Sequence, residues 1–549
     1  MEYYGHSLSQ SLSEAQSLAT SFCGASRRHE SIAILESLDR ILVSALSTAR
    51  SAINALSTIN TCPDNVVGLI LQHAAVNVEA RFGLGFRWPF APPCPTWELI
   101  TLTHVCRHWR SLLLNLPLLW THIDIGNPLA YRDLVSTFLQ RSGAAPLKVY
   151  IKKPSLYYSL PGESESIETL LDALSPRIQE LHVHRDALGL ERPFPALEIL
   201  TLESAGRLPA ILFDGAAPQL RALTMIYIVS LPTNHFPSLT RLYVGNFAWL
   251  SHLYSSVTLS QLAVFLRGCN ALEELAVYRM DFEVSTADDA LPPVALGHLC
   301  RLSLGCTSAI VTGWFFDHIE ASPAVAIRVF DLGPFHYHAA LAVTYPPQLR
   351  TPTLLHLRQC FEPAVTIANS SSAVRFEYIP PSPNCGWGIF PWSSWPVSTV
   401  EELHIDHSSG EPEAGFHLLL DVLPSLSLLV YRGKLKPLIH LLGLLSASHG
   451  PPGPLCPALK TLHISLKADL SALHVLDDFA ATRAHSGFPL SEVIIEYSSR
   501  GALNNDLLPG LSLIKSVQCV RYRLSSGMIS TVEWPAVCVG EEHLCWRSW

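Results

Sequence analysis

Between residues 178 and 495 the chain returns again and again to one spacing: an apolar residue, a second three positions later, and a third two beyond that. The copies are Ile178/Leu181/Val183, Leu197/Leu200/Leu202, Leu220/Leu223/Met225, Leu239/Leu242/Val244, Leu272/Leu275/Val277, Leu299/Leu302/Leu304, Val400/Leu403/Ile405, Leu426/Leu429/Tyr431, Leu459/Leu462/Ile464 and Leu490/Val493/Ile495. Several follow the same short turn, as in Phe194-Pro-Ala-Leu, Phe236-Pro-Ser-Leu and Cys456-Pro-Ala-Leu. The last two apolar positions of each copy are two apart, so on a strand both point to one face. A unit this short cannot bury that face alone, and stacked copies bury it together as a parallel sheet. Neighbouring copies lie 19 to 33 residues apart, so the returning segments differ in length, and helical spacing places helices at 259–268, 413–423 and 468–484. From Gly305 to Thr399 no copy is clean, although Val325/Ile327/Val329 and Val374/Phe376/Tyr378 alternate as strands do. That gap also holds the Trp-rich stretch 386–395, which reads either as exposed anchors for a partner or, the commoner arrangement, as an aromatic cluster over an irregular turn of core.

Residues flanking each inward pair alternate to the opposite face of the sheet. Among them Glu180, His182, His184, Glu203, Arg241, Tyr243, Tyr278, Arg301, His404, Asp406 and His463 are the candidate ligand contacts. Their mixture of acidic, basic and aromatic groups suits a protein or peptide, and extended concave faces are how stacked repeats bind. The plain alternative is a solvated face with no ligand.

The 24 histidines make metal and acid/base chemistry the first enzymatic candidates. His182 with His184, and His404 with Asp406 and His407, come nearest to ligand spacing. On a strand, however, His407 faces away from His404 and Asp406. No His-Glu-x-x-His or paired-Cys motif supplies the remaining ligands, so these read as ordinary surface histidines. No phosphate-cradling loop, dinucleotide fingerprint, kinase set or nucleophile elbow occurs. The expectation is a protein without catalytic residues, metal or cofactor; a metal-dependent hydrolase built on the His-rich strands is the remaining enzymatic reading.

At 549 residues the chain exceeds one ordinary core. With 15% charged and 48% hydrophobic residues it is not largely disordered. A net charge of −9 without a basic cluster argues against nucleic acid, and no apolar run reaches the roughly 18 residues of a membrane span. The amino terminus lacks a basic start and an apolar core, so no secretory signal is expected. Thirteen scattered cysteines without a Cys-x-x-Cys pair read as reduced thiols of the cytosol or nucleus.

Upstream lie two further helical patterns. In Cys62-Pro-Asp-Asn-Val-Val-Gly-Leu-Ile-Leu-Gln-His-Ala74, Pro63 fits the first helical turn, Asp64 complements the positive helix end, and Val66, Val67, Ile70 and Leu71 share a stripe. In Leu102-Thr-His-Val-Cys-Arg-His-Trp-Arg110 a second stripe runs through Leu102, Val105, Cys106, Trp109 and Leu112 or Leu113, and Leu116-Pro-Leu-Leu-Trp120 follows. Amphipathicity does not dictate the identities in Thr-His-Val-Cys-Arg-x-Trp-Arg. The two stretches resemble the halves of a fungal F-box, and the triplets resemble leucine-rich repeats; together they resemble basidiomycete-type F-box-like proteins with leucine-rich repeats. Cys62, Gly68 and Leu71 depart from the usual F-box pattern, and a mid-helix Gly costs about 1 kcal/mol relative to Ala.

The resemblance implies an α/β chain with an N-terminal all-helical F-box-like domain followed by an irregular leucine-rich-repeat solenoid with a curved parallel sheet. The expected divisions are a disordered Ser/Gln-rich tail at 1–29, one long helix at 30–60, the F-box-like domain at 61–125 with a Gly/Pro-rich loop at 80–96, the solenoid at 126–530 and a C-terminal tail at 531–549. The helix at 30–60 is a candidate coiled coil for self-association, or else packs on its own domain. The segment 131–151 reads as a helix closed by Gly143 and then a strand, similar to the element after the F-box in fungal members. Docking on the Skp-type adaptor of a cullin-RING ubiquitin ligase is implied, with Pro63, Val66, Val67, Ile70, Leu71, Val105, Trp109, Leu112 and Trp120 as candidate contacts, some of which must instead form the domain's own core. The implied role is a substrate receptor for an unknown protein target; a non-catalytic scaffold with a degenerate F-box is the alternative.

Overall fold

A computed structural model describes residues 2–24, 28–76, 96–125, 128–151, 163–184, 190–203, 208–215, 217–246, 257–280, 282–283, 291–332, 346–359, 363–378, 387, 390, 392–408, 415–446, 454–466, 473–498, 517, 519–525 and 532–539. The loop expected at 80–96 lies, up to residue 95, outside them. Contacts divide the chain between His182 and Val183 into two units, later than the expected boundary near residue 125.

The first unit opens with helices α1 (Glu2–Gly24) and α2 (Arg28–Ala55), which pack on each other. A helix at α1 corrects the expected disordered tail. Weakly periodic sequence becomes helical when a tertiary neighbour supplies contacts, and the small residues Ala15 and Ala45 are buried. Along α2, Ile32, Leu35, Leu42, Leu46 and Ile53 stay exposed, as does Leu56 just past it. Helices α3 (Asp64–Val76), α4 (Thr96–Thr103) and α5 (Arg107–Leu114) follow, then a 3₁₀ turn, Pro117–Trp120. Strand β1 (His122–Ile125), α6 (Pro128–Ser142), β2 (Leu147–Ile151), α7 (Glu163–Leu174) and β3 (Ile178–Val183) complete the unit, but for Val183, which falls in the second. β1 and β2 pair in parallel, and Gly143 leaves α6 at φ 56°. The boundary lies past β2 because Trp120 packs its ring edge-on against Phe138 of α6 at 4.8 Å, tying the first helices to the helix-strand element after them.

The second unit is built on a large, open, mostly parallel sheet. Its early strands are β4 (Ile199–Glu203), β5 (Ala222–Ile226), β6 (Arg241–Gly245), β7 (Glu274–Tyr278) and β9 (Arg301–Gly305), with α8 (Leu259–Arg267) before β7. β8 (Val294–Leu296) pairs separately with β10 (Ile319–Ala321), which follows α9 (Ala309–His318). The middle strands are β11 (Ala326–Leu332), β12 (Leu354–Gln359), β13 (Ala364–Ala368) and β14 (Ala373–Tyr378). The late ones are β15 (Glu402–His407), β16 (Leu428–Gly433), β17 (Thr461–Leu466), β18 (Glu492–Ser498) and β19 (Cys519–Ser525), interleaved with α10 (Phe416–Asp421), α11 (Leu435–Ser446) and α12 (Leu473–His485).

Every triplet position named above is buried, so the inward face is the core the spacing predicts. Strands run in parallel from β4 through β7 to β9 and β11, and again from β12 through β15 to β19. After β5, β7 and β9 the residues Tyr227, Arg279 and Cys306 take positive φ. Their amides bond to a carbonyl near the end of the neighbouring strand, at Gly245, Gly305 and Phe330, which makes the strand exits alike from copy to copy.

Between β11 and β12 the order breaks. β14 lies beside β11, and β13 runs antiparallel to both β14 and β12, a correction to a sheet expected to be parallel throughout. Every residue of β13 is buried, Thr366 included. In the same gap Trp387, Phe390, Trp392 and Trp395 are buried, the last three stacked edge and face on one another and Trp387 against Phe416, as the core reading of that stretch expects. Arg483 of α12 is buried and donates to the carbonyls of Leu445, Leu455 and Cys456, pinning two returning segments together. Among the described residues no helix is long and apolar enough to cross a membrane.

Candidate functional site

Helix α3 sorts its apolar residues onto two sides. Val67 and Leu71 are fully buried with Gly68, while Pro63, Val66, Leu69 and Ile70 are exposed, Val66 by 39% and Ile70 by 41%. The exposed positions follow the three-and-four spacing of one helical stripe. Asp64 at the helix start lies 3.5 Å from His108 of α5. The Cys106 thiol caps α5 by accepting the Trp109 amide at 3.4 Å. Val105 and Leu118 are exposed beside these helices. Trp109 and Leu112 are half-buried, and the Trp109 indole donates to Asn60 at 2.7 Å.

Trp120 is internal. Its indole donates to the Leu113 carbonyl at 2.8 Å, and the Arg141 guanidinium lies 4.4 Å above the ring. Of the nine candidate contacts, Val67, Leu71 and Trp120 are therefore corrected to core residues, and Pro63, Val66, Ile70 and Val105 remain open. Leu69 and Leu118 join the exposed set. Leu69 carries a signal in the sequence, three positions after Val66; Leu118 carries none.

The outward side chains of the strands are the second candidate surface. In the first unit Tyr150 stacks on His182 with centroids 4.6 Å apart and near-parallel planes, and His122 continues the stack at 6.3 Å. Lys148 pairs with Glu180 at 2.7 Å, and His182 lies 3.8 Å from the same carboxylate. Burial, reinforced by the Lys148 charge, pushes His122 down to about 4. Burial raises Glu180, but its hydrogen bonds with His182 and Lys148 outweigh that and hold the carboxyl below its usual range.

In the second unit the central outward row runs in register through Thr201, Thr224, Tyr243, Ala276, Ser303, Arg328, Arg375 and Thr366 to His356, His404, Val430 and His463. All of these but the half-buried His356 are buried. In the next row Gly245 and Gly305 alternate with Ile226, Tyr278 and Phe330. With no Cβ at Gly305, the Tyr278 and Phe330 rings stack at 5.8 Å over it. Arg328 donates to both oxygens of Glu377, at 3.0 and 2.5 Å, and Arg375 Nε lies 2.9 Å from the same carboxylate.

Histidines along this row pair with acids. His356 bonds to Asp406 at 2.8 Å, His404 to Glu402 at 2.5 Å, and His463 sits 3.1 Å from Glu496. His184 bonds to Glu203 at 2.5 Å. Burial holds His356 below its usual value. Asp406 is raised by burial but lowered further by the His356 hydrogen bond and the Arg432 charge, and His404 lowers Glu402.

The expected contact set therefore divides. His182, Tyr243, Tyr278, His404 and His463 are buried and are corrected to packing residues; as histidines, the buried three are not the surface groups expected. Strands roughly 4.8 Å apart place equivalent side chains shoulder to shoulder, so large groups in register cover one another. Glu180, His184, Glu203, Arg301 and Asp406 are half-exposed and Arg241 is exposed. Arg301 meets Glu274 at 2.6 Å, and Arg241 reaches the same carboxylate at 3.8 Å. His407 points inward, its ring 5.8 Å from Trp387. Among the described residues no group of three or more His, Cys, Asp or Glu is placed to hold a metal ion. No family model matches this chain and no curated protein matches it, so its function is read from the two surfaces just described.

Proposed function

We propose that the protein is a substrate-recognition subunit of a Skp-cullin-F-box ubiquitin ligase. The helical unit docks on the Skp-type adaptor, and the sheet unit holds the protein to be ubiquitinated. One observation carries the reading: α3 exposes Val66, Leu69 and Ile70 while burying Val67 and Leu71 beside them. Exposed apolar residues grouped on one helix mark an interaction surface. Covering what each still exposes supplies about 1 kcal/mol. These residues fall in the segment that resembles an F-box. Holding a target near the ligase's ubiquitin carrier makes the encounter effectively intramolecular, and that tethering is the whole of the rate effect such a receptor contributes. In the sheet unit the half-exposed ionic residues His184, Glu203, Arg301 and Asp406, with exposed Arg241, are the target contacts on this reading.

Capture of a purified Skp-type adaptor by the full chain tests it. The unaltered chain retains the adaptor; a Val66→Asp/Ile70→Asp double variant loses retention at least tenfold while melting at the same temperature. If the unaltered chain fails to retain the adaptor, the reading falls to that of a non-catalytic scaffold.

A further inference from the structure

The outward face changes character at one place, and it is the place where the repeat pattern breaks. Along the first outward row, Arg241, Glu274 and Arg301 give way to Ala326, Ala373, Ala368 and Leu354, and charge returns at Glu402. Three small residues side by side on paired strands make a shallow apolar floor between charged margins. Residues 532–539, expected to be part of a C-terminal tail, lie on that floor. Val532 and Cys538 are buried against it, and Trp534 and Val537 are half-buried there. The Trp534 ring is 5.6 Å from that of His356. Burial pushes the Cys538 thiol up to about 12.

The segment is held through its side chains. A 3₁₀ turn, Ala536–Cys538, satisfies the Cys538 and Val539 amides with the carbonyls of Pro535 and Ala536, so these two amides do not extend the sheet. Glu533, Ala536 and Val539 face solvent. The floor is already knit by backbone bonds among β11, β14, β13 and β12, and it does not need the segment to complete its pairing. Three of its eight side chains, Val532, Pro535 and Cys538, are buried and two more half-buried, a gain set against the entropy of ordering eight residues, and that balance makes the occupant exchangeable.

We propose that this floor is a docking surface for a short, mostly apolar peptide of the form Val-x-Trp-Pro-x-Val, with x facing solvent, and that 532–539 is its resident, displaceable occupant. The inference rests on the sheet unit alone and not on adaptor binding. If a ligase target uses the floor, it must first displace the chain's own segment.

Alkylation of Cys538 in the unaltered full chain, followed by mass analysis, tests the exchange directly. The probe is a synthetic peptide of residues 532–539 carrying Cys538→Ser. Saturating peptide is expected to speed Cys538 alkylation at least tenfold, the same peptide with Trp534→Ala to leave the rate unchanged, and Cys269 and Cys456, buried elsewhere in the repeats, to stay protected. An unchanged Cys538 rate at saturation overturns the proposal, as does an equal rise at Cys269 and Cys456, which reports general loosening. A full-chain Trp534→Ala variant adds a second reading. Fluorescently labelled peptide binds it at least tenfold tighter than the unaltered chain; equal or absent binding to a variant that melts normally also overturns the proposal. Adaptor capture enters neither readout, so the two proposals fail separately.

Discussion

On α3, Val66, Leu69 and Ile70 stand in solvent one residue away from Val67 and Leu71, which are shut in the core. Across the sheet, the outward positions from Thr201 to His463, where polar side chains ought to meet water, are covered by their own neighbours. The contrast comes from geometry. A helix on a core buries one stripe, and its remaining residues diverge radially with nothing beside them. Strands in register hold equivalent side chains about 4.8 Å apart, close enough for rings and guanidinium groups to cover each other. Apolar residues in the helical unit are therefore left at the surface, whereas polar residues on the sheet are largely part of a second packed layer.

The most severe test of that second layer is Glu377→Gln. Glu377 neutralises Arg328 and Arg375 where both guanidinium groups are buried. Removing its charge takes away the carboxylate that both guanidinium groups face, and breaking such a buried set costs about 3–5 kcal/mol. Ile70→Ser, on exposed surface, is expected within about 0.5 kcal/mol of the unaltered chain. Urea unfolding followed by tryptophan fluorescence measures both. Similar midpoints for the two variants would mean that the outward face is solvated after all, and the contrast between the units would vanish.

Gly305→Ala probes the same layer more gently. A Cβ at this position would lie 2.5 Å from Tyr278 Cδ2 and 2.7 Å from Phe330 Cε2, so one of the stacked rings must leave its place. Overpacking of this kind costs about 1–3 kcal/mol, read as a lower thermal midpoint and altered near-ultraviolet circular dichroism. An unchanged spectrum would show that the Tyr278–Phe330 stack is loose and that the face has room for a ligand between β7 and β11.

What the sequence tells about these two surfaces is unequal, for a physical reason. Alternation identifies which side chains share a face, and the inward triplets from Ile178 to Ile495 are all buried as it requires. It says nothing about what lies over the other face, so Tyr243, Tyr278, His404 and His463 read as contacts when they are packing. The antiparallel β13 is invisible because Ala364-Val-Thr-Ile-Ala368 is buried along its whole length, and Thr366, its one polar residue, sets neither direction nor neighbours. Residues 532–539 carry no period at all, and their seat on Ala326, Ala368 and Ala373 exists only once distant strands are brought side by side. On α3 the stripe of Val66, Val67, Ile70 and Leu71 is wide enough to be rotated either way. Only the position of its neighbours decides that Val67 and Leu71 turn inward.

Gly68 gives the smallest of the three effects and tests the helical side of the contrast. By composition it is a weakness, a mid-helix glycine that costs about 1 kcal/mol relative to alanine. It lies on the buried side of α3 between Val67 and Leu71, where small residues are often kept because a neighbour presses against the backbone. Here the nearest atom to an added Cβ is Leu116 Cδ1 at 3.5 Å, an ordinary contact distance at the end of a flexible side chain. The glycine is therefore not required by packing, and Gly68→Ala should stabilise the helical unit by about 1 kcal/mol through the lower entropy of the unfolded chain. Amide hydrogen exchange along α3 is the sensitive measure: slower exchange there, with the Val66, Leu69 and Ile70 stripe and adaptor capture unchanged, is the expected outcome. Faster exchange would show that α3 packs more tightly against Leu116 than 3.5 Å allows for, and that part of the stripe assigned to a partner already belongs to the unit's own core.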